Sequence, residues 1–297
     1  MKIGITGANG MLGTALINKL HLKHKIYATS RSNGVKREQA EWDFFDLLDF
    51  ETLHSWLDGK NMDIIIHCAA MIDVDKCEIM PEIATELHYK TTKIISSHLQ
   101  KTDGMLVYIS TDSVFDGKKS TPYTEEDGTR PLNIYAKTKL AGENPVLGMK
   151  NGLVIRTNII GRSRSEKLSF AEWVLKGLVE KKKLNLFDDV IFSPLHVSDL
   201  SDLIHTLIDQ NIVGLYNVTS STSLSKYEFG LMMADIFGLE NRFIIKKFIK
   251  DKELVADRPC NMSLSSVKVS AVLNKKMSTP EQSIQLLKQQ YDKECNL

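Results

Sequence analysis

The sequence predicts an α/β protein with a Rossmann-like, doubly wound parallel sheet and a smaller mixed α/β lobe at the C-terminal end. Short apolar runs alternate with amphipathic runs of helix length over the first half of the chain, as in βαβ units. A glycine-rich turn directly follows the first strand candidate, which is where such folds hold a dinucleotide. After about residue 160 the alternation becomes less regular, which indicates the second lobe.

The first half contains five strand candidates and four helix candidates. The strands are KIGIT, KIYATS, DIIIHCAA, MLVYIST and GLVIRTNII. The helices between them are MLGTALINKLHLK, DFETLHSWL, PEIATELHYKTTKIISSHLQK and PLNIYAKTKLAGENPVL. Because βα crossovers are right-handed and ligands bind at the carboxyl ends of parallel strands, KIGIT, DIIIHCAA and MLVYIST are expected to end along one crevice.

The second half contains longer helix candidates, SFAEWVLKGLVEKKK, SDLSDLIHTLID and KYEFGLMMADIFG, with the short strand candidates LNLF and GLYNV between them. We therefore predict a dinucleotide-binding domain over residues 1–160 and a mainly substrate-binding lobe over residues 161–297. This prediction allows parts of the later chain to pack back into the first domain. No low-complexity linker separates the halves, so the two lobes are expected to share an interface.

The composition excludes several classes of protein. Basic and acidic residues nearly cancel, 38 against 37, which argues against a nucleic-acid partner. No apolar run approaches the ~18 residues of a membrane span, and the N-terminus has no signal-peptide pattern. The four cysteines form no CxxC pair and no metal spacing with histidine, so we predict no metal site and a reducing, cytoplasmic location.

Three glycines, Gly7, Gly10 and Gly13, punctuate the turn between the first strand and the first helix. A dinucleotide needs a turn whose backbone can approach its pyrophosphate, and a helix N-terminus whose free N–H groups face that anion. The GxxGxxG spacing differs from the more usual GxGxxG, and a purely structural turn is the alternative. Its position at the first βα turn favours the dinucleotide.

The end of the second strand candidate indicates which dinucleotide is bound. An acidic residue there would bind the ribose 2′-hydroxyl of NAD, whereas an arginine accommodates the 2′-phosphate of NADP. This chain has Ser30 and Arg31 and no acid. We therefore predict NADPH, with NADH as the alternative if Arg31 is simply a surface residue.

Tyr135 and Lys139 are four residues apart in a helix candidate and so share one helix face. A nearby ammonium favours phenolate and would lower the tyrosine pKa toward the working pH. The strand candidate MLVYI is followed by Ser110 and Thr111, which place a hydroxyl at the carboxyl end of the sheet. A strand hydroxyl and a helix tyrosine can then converge on one substrate carbonyl.

With these residues in place, the sequence resembles the extended short-chain dehydrogenase/reductase family, and within it the dTDP-4-dehydrorhamnose reductases, over nearly the whole chain. The resemblance rests on GITGANGMLG, HCAAMIDVDKCEIMPE, ISTDSVFDGKKSTPYTEEDGTRPLNIYAKTKLAGE, IRTNIIGR and the Arg258-Pro259 pair. The long central motif is the most specific of these segments.

The resemblance implies a role for each matching residue. Tyr135 would donate a proton to the substrate carbonyl, Lys139 would hold the nicotinamide ribose and lower the tyrosine pKa, and Thr111 would hydrogen-bond the carbonyl oxygen. The cofactor-binding set would be Gly7, Asn9, Gly10, Met11, Leu12, Gly13, Ser30, Arg31, Asp43, Phe44, Ala69, Ala70, Met71, Tyr135 and Lys139, with Asp43 and Phe44 at the adenine. The substrate-binding set would be Thr111, Ser113, Asn158 and Arg258.

Three positions depart from the family pattern. Ser113 stands where the rhamnose enzymes typically have tyrosine and where related epimerase-reductases use cysteine to move a proton. Because a serine hydroxyl is a far weaker acid than a thiol, reduction alone is favoured over combined epimerisation and reduction. Asn158 departs from an RTSW-like segment, and His88 replaces an asparagine and is interpreted as structural.

The resemblance implies NADPH-dependent reduction of the 4-keto group of a nucleotide-activated 4-keto-6-deoxy sugar, a step of carbohydrate biosynthesis. Two alternatives remain: an NAD-dependent nucleotide-sugar epimerase or dehydratase, and a non-catalytic NADP-binding subunit similar to the regulatory chain of methionine adenosyltransferase. The sugar, the nucleotide and the oligomeric state stay open, with a homodimer among the alternatives.

Overall fold

The computed structural model describes residues 1–32, 38–163, 168–251 and 255–295. Its strands are β1 (Lys2–Thr6), β2 (Lys25–Ser30), β3 (Glu41–Phe44), β4 (Ile64–His67), β5 (Met105–Thr111), β6 (Gly152–Thr157), β7 (Ile159–Ile160), β8 (Leu184–Phe187), β9 (Ile191–Phe192), β10 (Leu195–His196), β11 (Gly214–Asn217), β12 (Leu224–Ser225) and β13 (Ile244–Lys247).

The helices are α1 (Met11–Leu20), α2 (Phe50–Lys60), α3 (Val74–Ile79), α4 (Pro81–Thr85), α5 (Thr91–Lys101), α6 (Ile134–Leu147), α7 (Phe170–Val179), α8 (Val197–Asp209), α9 (Lys226–Phe237), α10 (Val267–Leu273) and α11 (Pro280–Cys295). A π-helical turn, Glu86–Lys90, joins α4 to α5. Among the described residues, no helix is both long and apolar enough to span a bilayer.

Seven parallel strands form the central sheet in the order β11-β6-β5-β4-β1-β2-β3. β1 pairs with β2 on one side and with β4 on the other, so the chain order reverses between β1 and β4. Ligands of open α/β sheets bind outside the carboxyl ends of the strands at such a switch point. The predicted Rossmann-like fold is confirmed.

Helices cover both faces of this sheet, which explains why its strands are apolar throughout rather than alternating. On one face, buried side chains of α1 and α8 pack on Ile3 and Ile5 of β1. On the other face, Trp56 of α2 and Val146 of α6 pack with Ile65 of β4. The two apolar layers hold the strand ends of the crevice in a fixed order.

The last strand of the sheet comes from the second half of the chain. β11 lies within the GLYNV segment, which the sequence assigned to the smaller lobe, yet it pairs in parallel with β6 from Gly214 to Asn217. The predicted division allowed parts of the later chain to rejoin the first domain, and β11 is such a part; the strand's period alone does not reveal which sheet edge it will cover. The boundary near residue 160 remains a prediction for the chain as a whole.

Three two-stranded sheets and the helices α7, α9 and α11 build the C-terminal lobe. β7 pairs with β10 and β8 with β13 in parallel, whereas β9 pairs with β12 antiparallel. The apolar core of this lobe includes Val174, Phe192 and Phe229. Capping boxes at Ser169 and Ser225 fix the starts of α7 and α9 because each serine accepts a backbone N–H that the helix leaves free.

A buried ion pair ties α6 to the sheet. Arg156 of β6 donates two hydrogen bonds to Glu143 of α6, from Nε at 2.9 Å and from Nη2 at 2.7 Å. The Ser110 hydroxyl of β5 donates to the same carboxylate at 2.5 Å. Both charged side chains are almost fully buried, so each depends on the other for compensation.

Replacing Glu143 with glutamine should lower the free energy of unfolding by about 3–5 kcal/mol, because it leaves the buried Arg156 guanidinium without a counter-charge. Urea unfolding followed by circular dichroism measures this loss. The double variant Glu143→Met, Arg156→Met is the control, and it should lose less than Glu143→Gln. An equal or greater loss in the double variant would show that packing, not charge, dominates here.

Candidate active site

The glycine turn between β1 and α1 has the geometry of an anion cradle. Gly7 has φ +63°, and a Cβ there would lie 2.8 Å from the Ala69 backbone. A Cβ on Gly13 would lie 2.6 Å from the Gly7 carbonyl oxygen. Gly10 precedes α1 without a side-chain cap, so the first N–H groups of the helix are left for a ligand. Met11 and Leu12 lie in this first turn.

Asn9 links the glycine turn to the end of β2. Its side-chain amide donates to the Ser30 hydroxyl at 2.7 Å and to the Ser32 carbonyl at 3.3 Å. Arg31, between these two residues, is exposed. The structure therefore brings three predicted cofactor residues, Asn9, Ser30 and Arg31, to one place beside the N-terminus of α1.

Asp43 and Phe44 end β3, next to the end of β2. Asp43 Oδ2 accepts hydrogen bonds from the Trp56 indole at 3.1 Å, and the Lys60 ammonium lies 3.1 Å from the same oxygen. Phe44 stacks on Trp42 with the ring centroids 5.8 Å apart. The two predicted adenine residues thus lie at the carboxyl edge of the sheet, and α2 holds Asp43 in place.

The segment Ala69, Ala70 and Met71 follows β4 and lies between the glycine turn and α6. The Ala69 amide donates to Thr6 Oγ1 at 3.3 Å, and the Met71 amide donates to His88 Nε2 at 2.9 Å. The loop after β4 is therefore fixed at both ends. It forms the floor of the crevice at the switch point.

His88 lies in the π-helical turn and connects this loop to α6. Because its Nε2 accepts from Met71, the neutral ring carries its proton on Nδ1 and donates to Thr138 Oγ1 at 2.8 Å. Burial lowers the pKa of His88 to about 2, so the ring stays neutral. Its edge also faces the Tyr135 ring, with centroids 5.9 Å apart. These contacts agree with the structural interpretation of His88.

Asp112 organises the substrate side of the crevice, and sequence reasoning assigned it no role. Its carboxylate accepts hydrogen bonds from Thr111 at 3.1 Å, Ser113 at 3.2 Å and Asn158 at 2.6 Å. It is 2% exposed, and burial raises its pKa. Three of the predicted substrate residues therefore meet at one carboxylate, a convergence that only the fold creates.

Tyr135 and Lys139 lie on the face of α6 that is turned toward the end of β5. The Thr111 side chain is near enough to Tyr135 to influence its pKa, and the Lys139 ammonium donates to the Ile109 carbonyl at 2.6 Å. α6 begins at an Asn133 cap, whose side chain accepts from the Ala136 amide. The predicted catalytic trio, Thr111, Tyr135 and Lys139, is brought together.

Burial shifts the pKa values of the two helix residues in opposite directions. It raises the pKa of Tyr135 to about 12 and lowers the pKa of Lys139 to about 7, because a desolvated site disfavours both phenolate and ammonium. The expected lowering of the Tyr135 pKa by Lys139 is therefore not found. Desolvation is the largest influence on the Tyr135 pKa, and the Lys139 ammonium is directed to a main-chain carbonyl.

Arg258 lies near the start of α6 but is not buried in the crevice. Its guanidinium pairs with Asp75 of α3 at 3.2 Å. The neighbouring Asp257 carbonyl accepts from the Asn133 side chain at 2.8 Å. The structure therefore records a surface ion pair at this arginine.

A cavity of about 520 Å³ opens in the C-terminal lobe, and the sequence did not predict it. Its lining residues are Phe170, Trp173, Lys183, Asn185, Leu186, Phe187, Lys226 and Lys247. The Lys226 ammonium lies 4.9 Å from the Phe170 ring centroid and lowers the pKa of Asp112 through its charge. Lys226 thus lines the cavity and its charge also reaches Asp112, where burial is the larger influence on the pKa.

The glycine turn, the Thr111 hydroxyl and the Tyr135–Lys139 face together define the extended short-chain dehydrogenase/reductase class. Within that class, the chain belongs to the family described as the RmlD substrate binding domain, whose model matches residues 1–292. The match spans both lobes and so includes every residue of the crevice described above.

Similar proteins include one named as a reductase and one named as a subunit of another enzyme. The chain is 27% identical over 287 residues to the probable low-salt glycan biosynthesis reductase of Haloferax volcanii, covering 95% of this chain and 96% of that protein. It is 30% identical over 292 residues to methionine adenosyltransferase 2 subunit beta of Rattus norvegicus, covering 91% of this chain and 82% of that protein.

Solved structures agree with the fold. A hypothetical dTDP-4-dehydrorhamnose reductase from Sulfolobus tokodaii is 32% identical with a TM-score of 0.83, covering 94% of this chain and 97% of that one. The dTDP-4-dehydrorhamnose reductase of Bacillus anthracis in complex with NADP is 26% identical with a TM-score of 0.84, covering 96% and 98%. Both neighbours are oxidoreductases by name.

Proposed function

We propose that this protein uses NADPH to reduce the 4-keto group of a nucleotide-activated 4-keto-6-deoxy sugar. The observation that carries the proposal is the convergence of Thr111, Tyr135 and Lys139 at the carboxyl end of β5. This arrangement would supply a proton donor, a second hydroxyl and a cation at one position. The family and its solved neighbours support the same reaction class.

The crevice residues fit a dinucleotide. The close contacts at Gly7 and Gly13 leave no room for side chains, and the uncapped start of α1 favours the pyrophosphate. Arg31 would bind a 2′-phosphate, with Asn9 and Ser30 fixing the loop beneath it. Asp43, Phe44 and the loop Ala69–Met71 would bind the adenine and nicotinamide ends. When bound, NADPH supplies the hydride.

The side chains of the crevice supply the proton and stabilise the alkoxide. At neutral pH a Tyr135 pKa of about 12 keeps the hydroxyl protonated, so it can donate to the developing alkoxide. Thr111 and Tyr135 form directed hydrogen bonds to that oxygen, which is the usual way to stabilise developing charge. Lys139 adds positive charge nearby when it is protonated.

The cavity in the C-terminal lobe suits a nucleotide diphosphate. Its aromatic side chains, Phe170, Trp173 and Phe187, offer stacking surfaces for a base, and Lys226 and Lys247 offer charge to phosphates. The Lys226 charge also influences the pKa of Asp112, and Asp112 accepts a hydrogen bond from Thr111. The sugar of such a ligand would therefore extend toward Thr111. Ser113 and Asn158, held by Asp112, would contact it.

The relatives named methionine adenosyltransferase 2 subunit beta favour a second candidate, a non-catalytic NADP-binding subunit. A panel of dTDP-, UDP-, GDP- and CDP-linked 4-keto sugars, followed by NADPH absorbance, separates the two. Oxidation of NADPH with one of them supports the reductase. No oxidation with any of them, together with co-elution with a methionine adenosyltransferase catalytic chain, would support the subunit. A sugar converted without net NADPH use would point to an epimerase or dehydratase.

Tyr135→Phe should lower kcat by about 100-fold to 10 000-fold, because it removes the proton donor, while the affinity for NADPH changes little. Steady-state kinetics with the active keto sugar and fluorescence titration of NADPH measure both effects. Tyr216→Phe, at the sheet edge, is the control and should keep its activity. Near-normal turnover by Tyr135→Phe would remove this residue from the mechanism.

Arg31→Ala should weaken NADPH binding by about tenfold to 100-fold, because a charge-assisted hydrogen bond to the 2′-phosphate is worth about 1.5–3 kcal/mol. KM values for NADPH and NADH measure the effect, and NADH serves as the internal control because it has no 2′-phosphate. An equal rise in both KM values would contradict the assignment of Arg31.

The activity should fall as the pH rises through about 7. Lys139 carries its stabilising charge only below its pKa of about 7, whereas Tyr135 keeps its proton to about 12. A plot of log kcat/KM against pH should therefore be flat at acidic pH and decline above about 7. Lys139→Met should lack this decline and have lower activity throughout. A decline that persists in Lys139→Met would assign it to another group.

A further inference from the structure

Three side chains of the types that bind metals meet between the loop before β2 and the C-terminal part of α8. His24 directly precedes β2, while His205 and Asp209 lie four residues apart on α8 and so share one helix face. Each residue offers one ligand atom, and these atoms all lie within 4.8 Å of one another. The His24 and His205 rings meet edge to face, with centroids 5.7 Å apart.

The ring nitrogens of this cluster lack ordinary partners. Both His24 nitrogens are buried without a hydrogen bond among the described residues, and so is His205 Nε2. His205 Nε2 lies 3.2 Å from Asp209 Oδ2, close enough for an ion pair but without hydrogen-bond geometry. A buried polar atom without a partner costs free energy, so three such nitrogens beside a carboxylate point to a missing ligand.

Charged groups from the N-terminus, from the loop before β2 and from α8 surround His24. Burial lowers the pKa of His24, and the N-terminal ammonium, His205 and Lys23 act in the same direction. Asp209 opposes them. Lys19 of α1 and Asp202 of α8 form an ion pair, with Nζ and Oδ1 2.6 Å apart. Their charges therefore compensate each other. Neutral imidazole is the form that binds a metal.

We propose that His24, His205 and Asp209 form a binding site for a divalent transition metal, with Zn²⁺ the best fit. Two imidazole nitrogens and one carboxylate oxygen match its ligand preference. Zn²⁺ holds such atoms at about 2.0–2.2 Å, so side-chain shifts of about 1 Å or less would close the cluster. Asp209 is exposed, which leaves access for a water as the fourth ligand.

The site is structural rather than catalytic by its position. His24 precedes the first residue of β2, whereas the cofactor crevice lies beyond the last residue, Ser30. A metal would therefore tie the loop before β2 to the last turn of α8, at the opposite edge of the sheet. The sequence predicted no metal site, because His24 and His205 are far apart in the chain and form no ligand spacing.

Equilibrium dialysis of the tag-free full-length protein against Zn²⁺, with metal quantified by mass spectrometry, tests the proposal. The wild-type chain should bind one Zn²⁺, and its Tm should rise as Zn²⁺ is added. Asp209→Asn and His205→Ala should each weaken binding by about tenfold or more and lose the rise in Tm. His54→Ala, which removes an exposed histidine on α2, should bind as the wild type does.

Cobalt absorption identifies the ligands. Co²⁺ at this site should give weak d–d bands without the intense sulfur-to-metal bands that cysteine would produce. Because a variant at a buried histidine could perturb folding, Asp209→Asn at the exposed position keeps the test decisive, with far-ultraviolet circular dichroism as the fold control. Less than one Zn²⁺ per wild-type chain, sulfur bands, or unchanged affinity in Asp209→Asn and His205→Ala would overturn the proposal.

Discussion

The bidentate ion pair between Glu143 and Arg156 is the constraint on which the geometry of the crevice depends. Glu143 lies one helical turn after Lys139 on α6, and Ser110, which shares its carboxylate, directly precedes Thr111 on β5. The pair therefore fixes how α6 is rotated and how far it is displaced along the sheet. The proposed reaction requires its groups to be held to within about 0.5 Å, and this buried contact ties together the segments that carry Thr111 and Tyr135.

A buried ion pair joins a helix to a sheet at a large desolvation cost, and apolar residues of similar size are often at least as stabilising. What charge adds here is direction. Two parallel hydrogen bonds from a planar guanidinium fix an orientation, whereas apolar side chains can repack and slide. The close approach at Gly142, where a Cβ would lie 2.3 Å from the His88 carbonyl oxygen, imposes the same precision on the other side of α6.

The sequence predicted the residues that carry local signals and missed those that depend on distant partners. The glycine turn, the i and i+4 pair on α6 and the strand-end Thr111 were recognisable because each lies within one short motif. Asp112 directly follows Thr111 in the sequence. Its place in the site, however, depends on a hydrogen bond from Asn158, which lies 46 residues later in the chain. The cavity around Phe170 and Lys226 is likewise assembled from separate elements. Local patterns also suggested that Lys139 lowers the Tyr135 pKa, whereas desolvation, which only the fold determines, raises it.

The pairing of β11 with β6 has a consequence for how the chain folds during synthesis. Until residue 217 has left the ribosome, β6 is an open sheet edge, and unpaired edges are templates for association with other chains. The first 160 residues thus contain the whole proposed catalytic trio but not the strand that protects the edge of their sheet. Non-local pairing of this kind slows folding and prolongs exposure. The first half is in this sense kinetically dependent on the second, and a fragment cut at residue 160 would retain the proposed catalytic residues but expose the edge of β6.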